Sequence, residues 1–370
     1  MVAVPSTPPR GRMILITRNG WMAMCDAWGV ADAGPYWRPW SQAMTEALLG
    51  GGSSDGFYSV AGAARAHFST PVTAGEPFSR LVARWLDQVD RALSRPPQLD
   101  LVDVGGGDGT LVRAVTGLVT DSLARRLRPV LVDVHPGGTE LPEEIEGLVV
   151  AVEWLDTLPV DVAVAGDDGA PLLVEVAPDG SERARRPLPR DDREWLQDWW
   201  PQSPEGGRAE SGLRRDRAWQ DLVARVTAGA ALAVDYGHLK RERPDAGSLT
   251  GWYRGRATAA ALDGSTDVTA HVAMDSIAAA GERSGMTTLL SSTLRQVLAS
   301  EETAPGVPDP RLAQRDPPSY LAELSRAGEW AVLADRRGLG AHRVLIQGRF
   351  PAASPGWLGR VTPVRFRPHA

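Results

Sequence analysis

The sequence predicts an α/β fold built around a Rossmann-like, mainly parallel sheet. Three observations carry the prediction. The apolar run Leu99 to Val104 ends in a cluster of glycines. Behind it, Leu111, Val112, Val115, Leu118 and Val119 recur at the spacing of one helical face. A second short β-rich run, Pro129 to Val134, follows. Strand, helix, strand in that order is the signature of a parallel sheet, whose strands need a crossover between them.

The remaining elements follow in order. Residues 1–36 show little periodicity and read as an irregular leader. A short helix fits Trp40 to Leu49, where the run Gly50-Gly51-Gly52 stops it. A stronger helix follows Pro77, with Phe78, Leu81, Val82, Trp85, Leu86, Val89 and Leu93 on one buried face. Leu148 to Val152 is a third buried strand. Val160 to Ala165 and Leu172 to Val176 flank Asp168-Gly169, which reads as a hairpin turn. Residues 178–215 are polar, rich in arginine and proline, and read as an insertion or lid outside the core sheet. A helix over 216–228 and a strand over Ala230 to Asp235 resume the core, and a long loop spans 237–268. Helices fit 273–284, 291–300 and 318–335, and His342 to Phe350 alternates as a late edge strand.

Composition narrows the function classes. With 43% hydrophobic and 23% charged residues, the chain of 370 residues has enough apolar material for a packed core. A net charge of −6 and a pI near 5.6 argue against a nucleic-acid partner held by bulk charge. The single cysteine, Cys25, allows neither an intrachain disulfide nor a multi-cysteine metal site, and a reducing, cytoplasmic setting is the simplest expectation. No apolar run approaches the ~18 residues of a membrane span. Arg10, Arg12 and Arg18 without an acid give the first 25 residues a transit-like charge, but prolines at 5, 8 and 9 oppose a helix there.

The sharpest local signal is Asp103-Val104-Gly105-Gly106-Gly107-Asp108-Gly109-Thr110, where a strand turns into a helix. Glycines there let the backbone approach a ligand and adopt positive φ, and the helix start adds free N–H groups. Spacing separates the candidate ligands. A dinucleotide fold wants G-x-G-x-x-G, which from Gly105 and Gly107 requires glycine where Thr110 stands. A P-loop needs Gly-Lys-Ser/Thr, and the only lysine is Lys240. What stands is acid-x-Gly-x-Gly-x-Gly, with Asp103 as the acid. Asp133, ending the next strand, suits a carboxylate that accepts hydrogen bonds from ribose hydroxyls.

Further motifs make the pattern resemble a family. Glu153-Trp154-Leu155-Asp156-Thr157-Leu158-Pro159 is similar to the N-E-x-x-D-x-x-P segment of MidA-like methyltransferases, although Val152 stands where that family has Asn. The family includes the mitochondrial complex I assembly factor that methylates a protein arginine. Asp235-Tyr236-Gly237-His238 resembles its D-Y-G-H. Gly247-Ser248-Leu249-Thr250-Gly251-Trp252-Tyr253, followed by Asp267-Val268-Thr269-Ala270-His271-Val272, resembles its G-T-L and D-x-T-A-H-V pair. Gly56-Phe57-Tyr58 and His67-Phe68-Ser69-Thr70 are similar to its G-Y-Y and F-x-T elements.

The resemblance implies a class I methyltransferase sheet with a helical N-terminal region and inserted lid and hairpin segments. It implies S-adenosyl-L-methionine as cofactor, bound through Asp103, Gly105, Gly107, Gly109 and Asp133. It also implies a protein acceptor, with arginine as the methylated side chain. Such enzymes usually fit a further strand and two helices after the Asp133 strand. Only residues 135–147 are present there, so the sheet is expected to be one edge strand short. The expected division is a leader over 1–36, a helical region over 37–98, the methyltransferase domain over 99–350 with its insertion near 160–215, and a tail over 351–370.

Methyl transfer from a sulfonium is an in-line displacement, so alignment and proton handling dominate. Glu153 and Asp156, past a strand's carboxyl end, are candidates to grip a guanidinium substrate or the cofactor's amine. Asp235 and His238 are candidates on the substrate side, with His238 as a base near neutral pH. Blander readings stand beside these. Asp156 is also placed to cap a turn, and His271, Tyr236 and Trp252 suit packing. Trp195, Trp199 and Trp200 suit the pinning of the insertion better than the shaping of a lid. The alternative from another class is a catalytically weak relative that keeps the fold and serves as an assembly or binding partner. A nicotinamide dehydrogenase fails on Thr110.

Overall fold

The computed structural model describes residues 37–51, 55–59, 70–134, 138–201, 207–301 and 304–351. The leader, His67-Phe68-Ser69 and the tail from residue 352 lie outside the described residues. The central sheet has six strands, numbered here in chain order: β1 (Leu99–Val104), β2 (Leu127–Val132), β3 (Ile145–Val152), β4 (Val226–Asp235), β5 (Thr287–Thr293) and β6 (Arg343–Arg349). Their order across the sheet is β5-β6-β4-β3-β1-β2. The pairs β2–β1, β1–β3 and β3–β4 are parallel, whereas β6 runs antiparallel to both β4 and β5.

Alternation sorts each strand between two cores. Leu99, Leu101, Leu148, Val150, Leu232 and Val234 face the helix Glu76–Ala92, which contributes Phe78, Leu81, Trp85 and Leu86. Val102, Val104, Val149, Ala151, Ala231 and Ala233 face the opposite way, onto Trp219, Leu222 and Ile277 of the helices Leu213–Ala224 and Met274–Arg283. A sheet covered on both faces explains why β3 reads as a continuous apolar run from Leu148 to Val152. Full burial of one such aliphatic side chain contributes about 1.5–3 kcal/mol. Gln347, fully buried on β6, clamps this layer. It accepts from Trp219 Nε1 at 2.8 Å and donates to the Ala278 carbonyl at 2.7 Å and to Thr288 Oγ1 at 2.9 Å.

The sheet ends at β2, one strand short at this edge among the described residues, as residues 135–147 imply. Thr139 N donates to the Leu131 carbonyl at 2.7 Å, so the return loop takes up part of the edge. The hairpin about Asp168-Gly169 forms between strands Asp161–Ala165 and Pro171–Val176. With Arg38–Pro39, Glu182–Pro187 and Arg208–Ser211 it makes a second, antiparallel five-stranded sheet. The insertion therefore lies outside the central sheet but builds a sheet of its own. Trp195, Trp199 and Trp200 are buried beneath it, which fits pinning.

Four expectations need correction. Arg343–Arg349 is not an edge strand: it lies between β4 and β5. The edge is β5, whose last three residues stand where the sequence predicts the start of a helix over 291–300; they pair with β6 instead, and that helix begins at Leu294. The segment 237–268 is not a plain loop, since Thr250–Tyr253 pairs with Arg256–Thr258 and with Asp267–Thr269. The helix expected over 216–228 runs instead over Leu213–Ala224, because β4 already begins at Val226.

Candidate active site

The glycine loop leaves β1 with Gly105, Gly107 and Gly109 at φ of 71°, 57° and 75°. L-residues adopt this left-handed region at a cost of roughly 1–2 kcal/mol, so the three glycines match the backbone. A Cβ on Gly105 would stand 2.8 Å from Trp154 Cδ1, whereas one on Gly107 would meet nothing within 4 Å. The loop is therefore packed on one side by the Glu153–Pro159 segment and open on the other. Gly107 N donates to Asp133 Oδ2 at 2.7 Å, tying the loop to the end of β2. Asp108 Oδ1 accepts from Thr110 N at 3.0 Å and orders the helix start.

Asp103 lies beneath the loop, 2% exposed, and its Oδ2 has no hydrogen-bond partner among the described residues. Burial, and then the charges of Asp133 and Asp108, push its carboxyl up to about 7. An open glycine cradle beside three carboxylates, one with an orphaned oxygen, fits a ligand that carries an ammonium and a sulfonium.

The second group assembles past β3 and β4. Glu153 turns the chain off β3 with φ of 49°, uncommon for a residue with a side chain. Its Oε1 meets His342 Nε2 at 2.8 Å, while Oε2 is buried without a partner among the described residues. Asp235, fully buried at the end of β4, accepts through Oδ2 from Leu155 N at 2.9 Å and from Asp156 N at 3.3 Å. Its Oδ1 and Asp156 Oδ1 are again buried and unbonded among the described residues. Asp267 accepts from the Tyr58 hydroxyl at 3.0 Å. Burial, then Glu153, pushes Asp156 up to about 7. Burial, then Asp156, pushes Asp267 up to about 8 and holds Asp235 well above the carboxylate range.

Arg215 is the buried cation of this region, and it neutralises the acids only at a distance. Its Nε donates to the Leu158 carbonyl at 3.0 Å, Nη1 to those of Ala270 and His271 at 2.9 Å each, and Nη2 to that of Asp156 at 2.7 Å. Its donors thus bind the Glu153–Pro159 and Asp267–Val272 segments together through their backbones. Glu210, from the insertion, holds Gly247-Ser248-Leu249 by accepting from Ser248 N at 2.6 Å and Leu249 N at 2.8 Å.

A row of rings lines one side. Tyr236 lies 4.0 Å from His342 and 6.0 Å from His271, centroid to centroid, and stacks on Trp252 at 6.3 Å. His238 joins this row only through His271, at 6.3 Å, and packs edge-on against Trp200 at 5.0 Å. Arg243, paired with Asp275, contacts His238 Nδ1. An arginine only donates, so Nδ1 accepts and the proton sits on Nε2. Burial, then Arg243, pushes the imidazole down to about 2. These surroundings do not make His238 a base near neutral pH.

Asp103, Gly105, Gly107, Gly109 and Asp133 thus come together, and Glu153, Asp156 and Asp235 form a second group joined to them through Trp154. His238 stands apart. Sequence reasoning missed His342 and Arg215 as site residues. Neither lies in a quoted motif, and the run of arginines around 214–217 hides the buried one. It also left Tyr58 and Asp267 without roles, although both stand in quoted motifs.

Residues 137–292 match a family described as "Putative S-adenosyl-L-methionine-dependent methyltransferase". That span holds the four most specific motifs, from Glu153 to Val272. A Burkholderia thailandensis protein crystallised with S-adenosyl-homocysteine superposes with a TM-score of 0.70 at 22% identity, covering 97% of this chain and 98% of that one. A second B. thailandensis structure, solved by iodide phasing, gives 0.68 at 22% identity, with coverage of 97% and 98%. No curated protein matches the sequence significantly. The match over residues 137–292 agrees with the resemblance to methyltransferases read from the sequence, and the superposition bears out the fold. No helix among the described residues is long and apolar enough to cross a membrane.

Proposed function

We propose that the chain is a cytoplasmic S-adenosyl-L-methionine-dependent methyltransferase whose acceptor is a protein arginine, a reading that the family match over residues 137–292 supports as to activity. One observation carries the acceptor reading: Glu153, Asp156 and Asp235 each bury a carboxylate oxygen that is unbonded among the described residues, at the carboxyl ends of β3 and β4. Buried acceptors without donors are costly, at about 1–3 kcal/mol each, and a guanidinium is a flat fork of five donors. Carboxylates pair with it bidentately.

In this reading Asp103, Asp133 and the backbone of Gly105, Gly107 and Gly109 hold the cofactor, which supplies an electrophilic methyl on a sulfonium. Asp133 has its Oδ2 on Gly107 N, so it fixes the loop as well as facing the ribose. Glu153, held by His342, and Asp235, held by two backbone N–H groups, orient the acceptor nitrogen. Such alignment is worth up to about 7–11 kcal/mol when the reacting atoms are well placed. Asp156, near 7, is poised to take the proton the nitrogen gives up, a contribution of typically 10²–10⁴-fold. His238 supports the ring row and takes no proton.

The first experiment is calorimetric titration with S-adenosylmethionine beside Asp103→Ala and Asp133→Ala. Saturable binding weakened by both substitutions is expected. Methyl-labelled cofactor, supplied with a cell extract, then leaves label on methylarginine after acid hydrolysis. Label on another residue ends the arginine reading. A second reading rests on the sheet ending at β2: a folded protein that takes up no cofactor serves as an assembly partner instead.

A further inference from the structure

The acid pocket poses a charge problem that its own cation does not solve. Glu153, Asp156, Asp235 and Asp267 are all buried, and three of them carry an oxygen with no partner among the described residues. Among the described residues, the hydrogen bonds of Arg215 go to backbone carbonyls, of Leu158, Ala270, His271 and Asp156. None reaches a carboxylate oxygen. Among the described residues, no three His, Cys, Asp or Glu side chains are grouped to hold a metal ion. Several uncompensated charges do not coexist in so small a buried volume, so carboxyl protons must stand in for the missing cation.

One further polar atom belongs to the same group. His342 Nδ1 is fully buried and unpartnered among the described residues, on the ring whose Nε2 holds Glu153. Beside His342, Tyr236 stacks on Trp252 and on His271, so aromatic faces adjoin the acids. A flat organic cation satisfies such a set of unbonded oxygens and ring faces; a neutral amide does not.

We propose that the pocket takes its acceptor by exchange: the acceptor enters as a cation, and at least one carboxyl proton leaves to solvent as it binds. The inference rests on the acceptor reading above and deepens it. The step balances, since a carboxylic acid and a free guanidinium become a carboxylate–guanidinium pair and a proton released to buffer. The groups that face the exchanging carboxyls come from every neighbouring element. Glu153 and Asp156 follow β3, Asp235 and Tyr236 end β4, and His342 precedes β6. Arg215 comes from the helix beneath, and Asp267, with Tyr58 on it, comes from the small sheet. Burial, and then mutual repulsion, holds Asp156 up to about 7 and Asp267 up to about 8, so protons are available to leave under ordinary conditions.

The test uses the full chain saturated with S-adenosylhomocysteine, which permits no turnover, and the peptide Gly-Arg-Gly as probe. Calorimetry is run at pH 6, 7 and 8, and at pH 7.5 in phosphate and in Tris, whose heats of ionisation differ. Expected is an affinity that rises by up to about tenfold per pH unit for each proton released. The two buffers then give different heats, and Gly-citrulline-Gly, the neutral analogue, gains nothing with pH. Asp156→Asn, shown folded by circular dichroism, lowers the proton count. Binding of Gly-Arg-Gly that is flat with pH and equal in heat in both buffers overturns the exchange and leaves the arginine reading standing. No binding at any pH, by protein that still takes S-adenosylhomocysteine, overturns both.

Discussion

The two halves of the site are built in opposite ways. The glycine loop is one contiguous stretch whose function lies in its backbone: positive φ at three glycines, a helix start, and an acid beneath. The acid pocket is gathered from six separated stretches, around residues 58, 153–156, 215, 235, 267 and 342, and lies almost entirely in side chains. A backbone device tolerates change around it but not at its glycines. A side-chain device is held by partners distant in sequence, so its largest vulnerability is the residue that joins the stretches.

That residue is Arg215, and its loss gives the largest effect expected. Its donors serve carbonyls of Asp156, Leu158, Ala270 and His271. Arg215→Met leaves these buried acceptors unpaired and removes a charge that opposes the acids. Destabilisation by about 3–5 kcal/mol is expected in urea denaturation, as for other broken buried charge networks. A cost below about 1 kcal/mol would mean that the stretches are held by packing alone.

The next effect is one of pH, and its sign distinguishes the halves from an ordinary acidic surface. Asp156 and Asp103 are pushed up to about 7 and Asp267 to about 8, chiefly by burial. An unfolded aspartate titrates near ~3.9. Between those values the folded chain holds protons the unfolded chain has lost. The stability they contribute is fully present below about pH 4 and is lost as pH rises through 7 to 8. Each group removes at most about 1.4 kcal/mol per pH unit, so Tm should fall by several degrees between pH 6 and 8.5. Asp267→Asn should flatten the upper part of that curve. Tm that is level or rising over this range would mean the acids are paired by something else.

Gly107→Ala probes the backbone half at a smaller scale. The φ of 57° alone costs roughly 1–2 kcal/mol, because the added Cβ meets no protein atom within 4 Å. It projects instead into the open side of the loop, so cofactor affinity should fall by at least about tenfold while the fold survives. Gly105→Ala, against Trp154, should also loosen the Glu153–Pro159 segment. Equal losses of affinity and stability in both variants would erase the distinction between an open and a packed face.

The same contrast explains what was legible in the sequence. Contiguous signals came through. The β1 strand, the loop, the Asp133 strand and the shortened 135–147 segment were all readable, because each depends on neighbours in the chain. The D-Y-G-H and G-S-L-T motifs were visible as patterns, but not the reason for them. Glu210 pins Ser248 from the insertion, and Tyr58 meets Asp267 across more than half the chain. His342 was read only as the start of a strand, since nothing in its flanks announces the Glu153 it holds. The edge strand was misassigned for a related reason: β6 alternates like an edge strand, and only the β5 pairing covers it.

His238 offers the smallest effect and the sharpest boundary between chemistry and support. Its place in D-Y-G-H, three residues past Asp235, suggests a base, yet its Nδ1 is taken by Arg243 and its ring packs on Trp200. Burial and the Arg243 charge push it down to about 2, so it is neutral throughout the working range. His238→Asn keeps an acceptor near the position of Nδ1 and so keeps Arg243 satisfied. Methyl transfer to an arginine peptide should stay within about threefold of wild type, with the pH–rate profile unchanged between 6 and 8. Removing a true general base costs typically 10²–10⁴-fold and erases the acidic limb of that profile. Such a loss would move proton transfer from the carboxylates to the ring row, and the acid pocket would then be a binding device alone.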